Sequence, residues 1–102
     1  MSGPRAPAVA GLFYPASRGE CLREIERCIA VAARILPRGT RAVAAVAPHA
    51  GWTYSGPTMA LALLALEAEG PDTVLLFGAD HHGLLGGACA VFPGGADRKS
   101  VV

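Results

Sequence analysis

The sequence has little charge of either sign and almost no imbalance between the two signs. Nine Lys and Arg residues stand against eight Asp and Glu residues over 102 positions, which gives a net charge of +1 at pH 7. Nucleic acids and anionic membrane surfaces attract proteins through clustered basic residues. Because no basic stripe stands out, we expect neither a nucleic acid nor a membrane surface as the partner.

Cysteine is scarce as well. Cys21, Cys28 and Cys89 are an odd number of thiols, widely spread, and do not make a disulfide framework. Cys21 and Cys28 lie two helical turns apart, too far for a bridge without distortion. We expect all three to be small buried apolar residues in a reducing, cytoplasmic protein.

Charged residues are absent from Ala42 to Leu66, a stretch long enough to suggest a membrane span. Pro48, Gly51 and Gly56 interrupt it, and lipid offers no partner for the backbone groups that such a break would free. The first residues also lack the basic and apolar regions of a signal peptide. With 52% hydrophobic residues, the composition indicates one small, soluble, packed domain.

An extended arm and a helix are predicted for the first forty residues. Proline and glycine mark residues 1–15 as the arm. Ser17 and Glu20 form a capping box, and Pro37 and Gly39 end the helix that it starts. Apolar residues follow the cap at helical spacing: Leu22, Ile25, Ile29, Ala32 and Leu36.

A βαβ unit is predicted for the next part of the chain. Residues 41–47 and 73–77 are short apolar runs, typical of strands buried on both faces. Pro57 suits the first position of a second helix, which runs roughly to Glu69. This order predicts a right-handed crossover and a partial parallel sheet in an α/β domain. Residues 88–92 are a third candidate strand, at an edge.

Two histidines follow the two predicted strands, His49 after the first and His81 after the second. Parallel strands end at the same edge of a sheet, where α/β proteins place their ligands. The pair could bind a metal or act as an acid and base. The alternative is that each histidine only caps a helix or bonds to a loop, and a metal would need a third ligand from elsewhere.

Aromatic residues surround the first histidine. Trp52 and Tyr54 lie in the same loop, and Tyr14 could reach it from the arm. Aromatic walls with polar tips suit a small-molecule or peptide pocket, although they serve equally well as cover for a core. Gly51 and Gly56 suit a close backbone approach or a positive φ.

The triplet Asp80-His81-His82 allows a further interpretation. One class of manganese-dependent phosphoesterases carries such a triplet after an apolar strand. That class also needs an earlier Asp-x-Asp loop, which this sequence lacks. We expect His82 to point away from His81 and to pack or support the site.

Three segments together resemble one known family. RAPAVAGLFYP at residues 5–15, APHAGWTYSG at residues 47–56 and LFGADHH at residues 76–82 occur in this order. They are similar to the MEMO family, called AmmeMemoRadiSam system protein B in bacteria and archaea. Family members are well over twice this length. Residues 1–96 therefore resemble the N-terminal part of a single MEMO-like α/β domain.

The resemblance implies a fold similar to the class III extradiol dioxygenases, which use a mononuclear non-haem iron. It implies iron or copper held by two histidines, matching His49 and His81, and by a cysteine beyond Val102. Trp52 and Tyr54 would line the pocket. Asp80, where family members often have Ser, could orient an imidazole. The implied activity is a metal-centred redox or dioxygenase-like reaction on an unknown small molecule.

The same resemblance leaves a second class of function open. Animal relatives are described as signalling adaptors, so the crevice could instead belong to a non-catalytic module that binds a peptide or a protein. In bacteria, the implied partners are radical-SAM and AMMECR-type proteins.

The last six residues correspond to the translation of a DNA string that is used in sequencing. Asp97 to Val102, DRKSVV, is what GATCGGAAGAGCGTCGTG encodes, and this string matches a common sequencing adapter. We expect residues 97–102 to be a non-native tail, as an expression scar would be. Resequencing the source locus should show an open reading frame that continues without this string. A genomic stop codon after Val102 would contradict this expectation.

Overall fold

Two helices form the ordered frame of the structure, a computed structural model that describes residues 6–79. Helix α1 spans Arg18–Ile35 and helix α2 spans Trp52–Glu67. Both belong to a compact unit, Val9–Val74, in which they pack against each other. A second unit comprises residues 1–8 and 75–102, of which 6–8 and 75–79 are described.

Helix α1 begins and ends where the sequence predicts. The Ser17 hydroxyl accepts a hydrogen bond from the backbone N–H of Glu20 at 3.2 Å, which satisfies one of the unpaired donors of the first turn. At the other end, the N–H of Leu36 still bonds to the carbonyl of Ala32 at 2.9 Å. The chain then turns away before Gly39, whose φ is +80°.

Helix α2 begins at Trp52, so the predicted start at Pro57 is wrong. The carbonyl of Gly51 accepts hydrogen bonds from the N–H groups of Tyr54 and Ser55, which closes the first turn five residues earlier. Pro57 therefore lies inside the helix, where its missing N–H leaves the carbonyl of Thr53 without its usual helical donor. The φ of proline is compatible with a helix, so Pro57 does not fix where the helix begins. The hydrogen bonds to the carbonyl of Gly51 fix it instead.

The end of α2 agrees with the prediction within two residues. Its last helical residue is Glu67, and Gly70 follows with φ +67°. The N–H of Gly70 bonds to the carbonyl of Glu67 at 2.8 Å. A positive φ is inexpensive only for glycine, which explains why the helix stops here.

The core between the helices consists of small side chains. Cys28 and Ala32 of α1 pack with Ala60 of α2, and Leu61 and Leu64 cover them. The helices approach closely at Gly56, where an added Cβ would lie only 2.5 Å from the Sγ of Cys28. The close approach expected of Gly56 is thus confirmed.

The predicted parallel sheet is not observed in residues 6–79, which contain no strand. Side chains expected to be buried are open to solvent, with Val46 98% and Phe77 84% exposed. A strand needs a neighbouring strand to pair its backbone groups. In residues 41–47, the N–H of Ala42 instead bonds to the carbonyl of Ala65 in α2, at 2.9 Å. The candidate strand at 88–92 lies outside the described residues.

An ion pair adds a second link between the same parts of the chain. The Nε of Arg41 donates to the carboxylate of Glu69 at 2.8 Å, and both side chains are exposed. The segment that follows α1 is therefore tied to the end of α2. Of the helices in residues 6–79, neither combines the length and the apolarity needed to cross a membrane.

We expect Gly56→Ala to lower the free energy of unfolding by about 1–3 kcal/mol, the usual cost of overpacking a core. The reason is the overlap of the new Cβ with the Cys28 sulfur. Adding Cys28→Ala removes that sulfur and leaves the Cβ of residue 28, 3.8 Å away. The double variant should therefore unfold at a higher urea concentration than Gly56→Ala alone.

Gly19→Ala is the matched control, because Gly19 also lies in a helix and its added Cβ meets only an ordinary contact, 3.5 Å from Arg23. We expect this variant to be as stable as the wild type or up to about 1 kcal/mol more stable, from helix propensity. Equal costs for Gly56→Ala with and without Cys28 would show that the sulfur contact is not the cause.

Candidate functional site

The loop that carries His49 leads directly into helix α2. Pro48 to Gly51 form this loop, and we call it the His49 loop. His49 itself is exposed, Trp52 is half-buried, and Tyr54 is 87% exposed. The remaining predicted site residues, Asp80, His81 and His82, lie outside the described residues. The juxtaposition of His49 with His81 therefore stays a prediction.

The N-terminal arm is a tight turn over residues 9–14 and not the extended segment that was predicted. The N–H groups of Leu12 and Phe13 both bond to the carbonyl of Val9 at 3.0 Å, and the N–H of Gly11 bonds to the carbonyl of Tyr14 at 2.7 Å. Gly11 has a φ of +86°, which other residues rarely adopt. Proline content indicated extension, whereas this one glycine lets the chain fold back.

This arm contacts the first residue of α2. The backbone N–H of Trp52 donates to the carbonyl of Phe13 at 2.8 Å. The rings of Tyr14 and Trp52 also meet, with centroids 5.4 Å apart and a tilt of 32° between their planes. The first N–H groups of a helix have no partner within it, so Phe13 acts as a cap supplied from a distant part of the chain.

Ser55 is a part of the site that sequence reasoning missed. Its side chain is buried, and its hydroxyl donates to the carbonyl of Ala50 at 3.0 Å, with the carbonyl of Gly51 farther away at 3.5 Å. Ala50 follows His49 directly. The signal is a serine in a charge-free stretch, but the predicted helix start at Pro57 places it in the preceding loop and not in the helix.

The two cysteines of the described part are both free thiols, as predicted, and they lie in α1. Burial raises the pKa of the Cys28 thiol, an effect that the nearby Arg27 guanidinium only partly opposes. Cys21 is half-buried and its Sγ donates to the carbonyl of Pro15 at 2.9 Å. A protonated, buried thiol is a poor metal ligand, so Cys28 is not a candidate for one.

Within residues 6–79, no three His, Cys, Asp or Glu side chains are grouped so that they could hold a metal ion. His49 is the one histidine in residues 6–79, and it is exposed. It is therefore the imidazole that this part of the chain could provide to a metal site. The ring of Trp52 contacts the tilted ring of Tyr14, whereas the Tyr54 side chain is open to solvent. Of these three aromatic residues, Tyr14 and Trp52 pack against each other, and Tyr54 is available for contacts with a ligand or partner.

Comparison with known proteins identifies the family. The family model described as Memo-like protein matches residues 5–97. A MEMO1 family protein of Pyrobaculum aerophilum is 41% identical over 98 residues, covering 90% of this chain and 34% of its own length. Another, of Thermotoga maritima, is 39% identical over 101 residues, covering 89% and 36%. No solved structure matches the chain.

The chain belongs to the Memo-like family, and the resemblance drawn from its three motifs is confirmed. Membership implies the extradiol-dioxygenase-like fold of that family, although the sheet of that fold is not seen in residues 6–79. The chain spans about a third of the length of the curated relatives it matches.

The raised pKa of Cys28 predicts a pH dependence of stability. Burial favours the protonated thiol in the folded state, whereas the unfolded thiol ionises near its ordinary pKa of about 8.5. This contribution to stability is complete below that pH and decreases as the pH rises towards the folded-state pKa. Urea unfolding from about pH 7 to about pH 10 should show a steeper loss for the wild type than for Cys28→Ala. Parallel curves would contradict the assignment.

Proposed function

We propose that this chain supplies two histidine ligands, His49 and His81, to a mononuclear iron or copper centre in a Memo-like protein. The protein would carry out a redox or dioxygenase-like reaction on a small molecule. The observation that supports this most is the position of His49: it is exposed, it lies within the region that the family model matches, and the carbonyl of the next residue, Ala50, accepts a hydrogen bond from the buried Ser55.

The chemistry of the donors fits such a metal. Neutral imidazoles suit iron and copper better than they suit magnesium or calcium. Two ligands hold a catalytic metal weakly, and the protonated Cys28 is not the third. By family resemblance, the third ligand is a cysteine beyond Val102. Its thiolate would favour a redox-active metal further.

A bound iron or copper ion would supply electron-transfer and Lewis-acid chemistry. The residues of this chain would orient that chemistry and limit its access. Trp52, backed by Tyr14, would exclude water from one side of the pocket, and the Tyr54 hydroxyl would bond to a substrate. Asp80 would orient an imidazole, and His82 would pack beside the site.

The surroundings of the protein are part of the same proposal. Free thiols such as those of Cys21 and Cys28 persist best in a reducing compartment, which agrees with a cytoplasmic location. Radical-SAM and AMMECR-type proteins are the partners that the family resemblance suggests.

A non-catalytic module that binds a peptide or a protein is the second candidate. The exposure of Tyr54, 87% in the described structure, favours it. Tyrosine is enriched at binding interfaces because its ring packs while its hydroxyl bonds. In that function the same crevice would hold a side chain of the partner.

Metal content tests the first candidate. The full-length gene product, purified without added metal, should contain about one iron or copper ion per chain, as a mononuclear site requires. The variant His49→Ala/His81→Ala should lose it, since both imidazole ligands are removed. Cys28→Ala is the control and should retain the metal, because Cys28 is buried in the helix interface. Elemental analysis of the three purified proteins is the measurement.

Two outcomes would contradict the proposal. If wild type and double variant are equally folded and equally metal-free, the histidines are structural or acid–base groups, and the binding module is favoured. If metal is bound but the iron-loaded protein consumes no oxygen with any small molecule tested, the metal site stands and the dioxygenase-like reaction does not.

A further inference from the structure

Two hydrogen bonds fix the backbone on either side of Gly51, two residues after His49. On one side, the Ser55 hydroxyl donates to the carbonyl of Ala50 at 3.0 Å. On the other side, the N–H of Trp52 donates to the carbonyl of Phe13 at 2.8 Å. The first bond comes from helix α2 and the second from the N-terminal arm.

The direction of the serine bond is unusual for a helix. A helical serine commonly bonds to the carbonyl four residues earlier, within its own helix. Here that carbonyl belongs to Gly51 and is 3.5 Å away, whereas the shorter bond reaches Ala50 in the His49 loop. Because Ser55 is buried, this hydroxyl has little access to water as an alternative partner. The bond therefore holds the loop to the helix.

The bond from the arm depends on a turn that only glycine adopts without strain. Phe13 can present its carbonyl to Trp52 because the arm folds back through Gly11, at φ +86°. The tilted contact between the rings of Tyr14 and Trp52 is a second link between the same arm and α2. Any side chain at position 11 would disfavour this turn, even though an added Cβ would meet only Ala16, at 3.7 Å.

We infer that Ser55 and the arm turn at Gly11 are positioning elements that hold the His49 loop in the geometry needed for metal binding. This inference rests on the proposed metal function of His49. Groups that orient a metal ligand typically contribute about 10- to 100-fold to metal affinity. Neither element is proposed as a ligand: Ser55 acts through the loop carbonyl of Ala50, and the arm acts through the N–H of Trp52, the helical residue that directly follows the loop.

The test compares two variants with two matched controls in the full-length protein. Ser55→Ala removes the buried hydroxyl, and Thr58→Ala removes an exposed hydroxyl from the same helix. Gly11→Ala strains the arm turn, and Gly39→Ala imposes a similar strain at φ +80°, in a loop after α1 where nothing lies within 4 Å. His49→Ala is the reference for loss of the ligand.

Three quantities are measured for each protein: the dissociation constants for ferrous iron and cupric ion, amide hydrogen exchange over residues 49–52 without metal, and the thermal midpoint. We expect Ser55→Ala and Gly11→Ala to weaken metal binding about 10- to 100-fold and to accelerate exchange in the loop. Thr58→Ala should change neither. Gly39→Ala should lower the thermal midpoint as much as Gly11→Ala does and leave affinity and exchange unchanged.

The outcomes separate this inference from the proposed function. If His49→Ala abolishes binding and Ser55→Ala acts like Thr58→Ala, the positioning role is overturned and the metal site stands. If Gly11→Ala and Gly39→Ala reduce affinity equally, the effect is one of general stability, and the arm has no positioning role. If His49→Ala leaves the affinity unchanged, the proposed function fails, and the positioning inference fails with it.

Discussion

The contact between Gly56 and Cys28 is the constraint on which the described structure depends. It brings α1 and α2 so close that no Cβ fits between them. The interface continues with two more small side chains, Ala32 and Ala60, which pack in the same buried cluster as Cys28. Dispersion contacts of this kind are individually weak and depend steeply on distance, so the interface is sensitive to added volume. The position of α2, and of the loop before it, follows from this packing.

The same helix connects the core to the candidate site. Gly56 packs on α1, and its neighbour Ser55 bonds to the His49 loop. One turn earlier, Trp52 receives the arm through its N–H and its ring. The five residues from Trp52 to Gly56 thus carry one core contact, one contact with the loop and two contacts with the arm. A motif specific enough to identify a family is accordingly as much a packing motif as a chemical one.

Local interactions account for what could be predicted from the sequence. The Ser17 cap and the Gly70 stop each depend on residues within one helical turn, and both are found as predicted. Pro57 has the properties of a residue in a first helical turn, but the carbonyl of Gly51 closes a turn five residues earlier, so α2 begins before the predicted position. The fold-back of the arm was missed because a single glycine, Gly11, outweighs the surrounding prolines.

Interactions between distant parts of the chain account for the rest. The segments 41–47 and 73–77 have the composition of buried strands, yet their large apolar side chains are exposed. A strand forms only when a neighbouring strand pairs with it, and composition does not specify that neighbour. The Memo-like motifs identify the family directly, because they can be recognised without knowing which strands pair.

The motif around His49 contains both a proposed ligand, His49, and residues that pack or bond, Gly56 and Ser55. A substitution that lowers metal affinity therefore does not by itself identify a ligand. A ligand is identified when affinity falls while the packing of Gly56 on Cys28 is retained. A positioning residue is identified when the loop backbone loosens with the ligand still present. Ser55 and Gly56 are neighbours in the same turn of α2, but Ser55 bonds to the loop whereas Gly56 packs on Cys28, so the two contacts can be altered separately. A variant that retains the Gly56–Cys28 contact has an intact helix interface, so a change in its metal affinity can be assigned to His49 or to the loop that carries it.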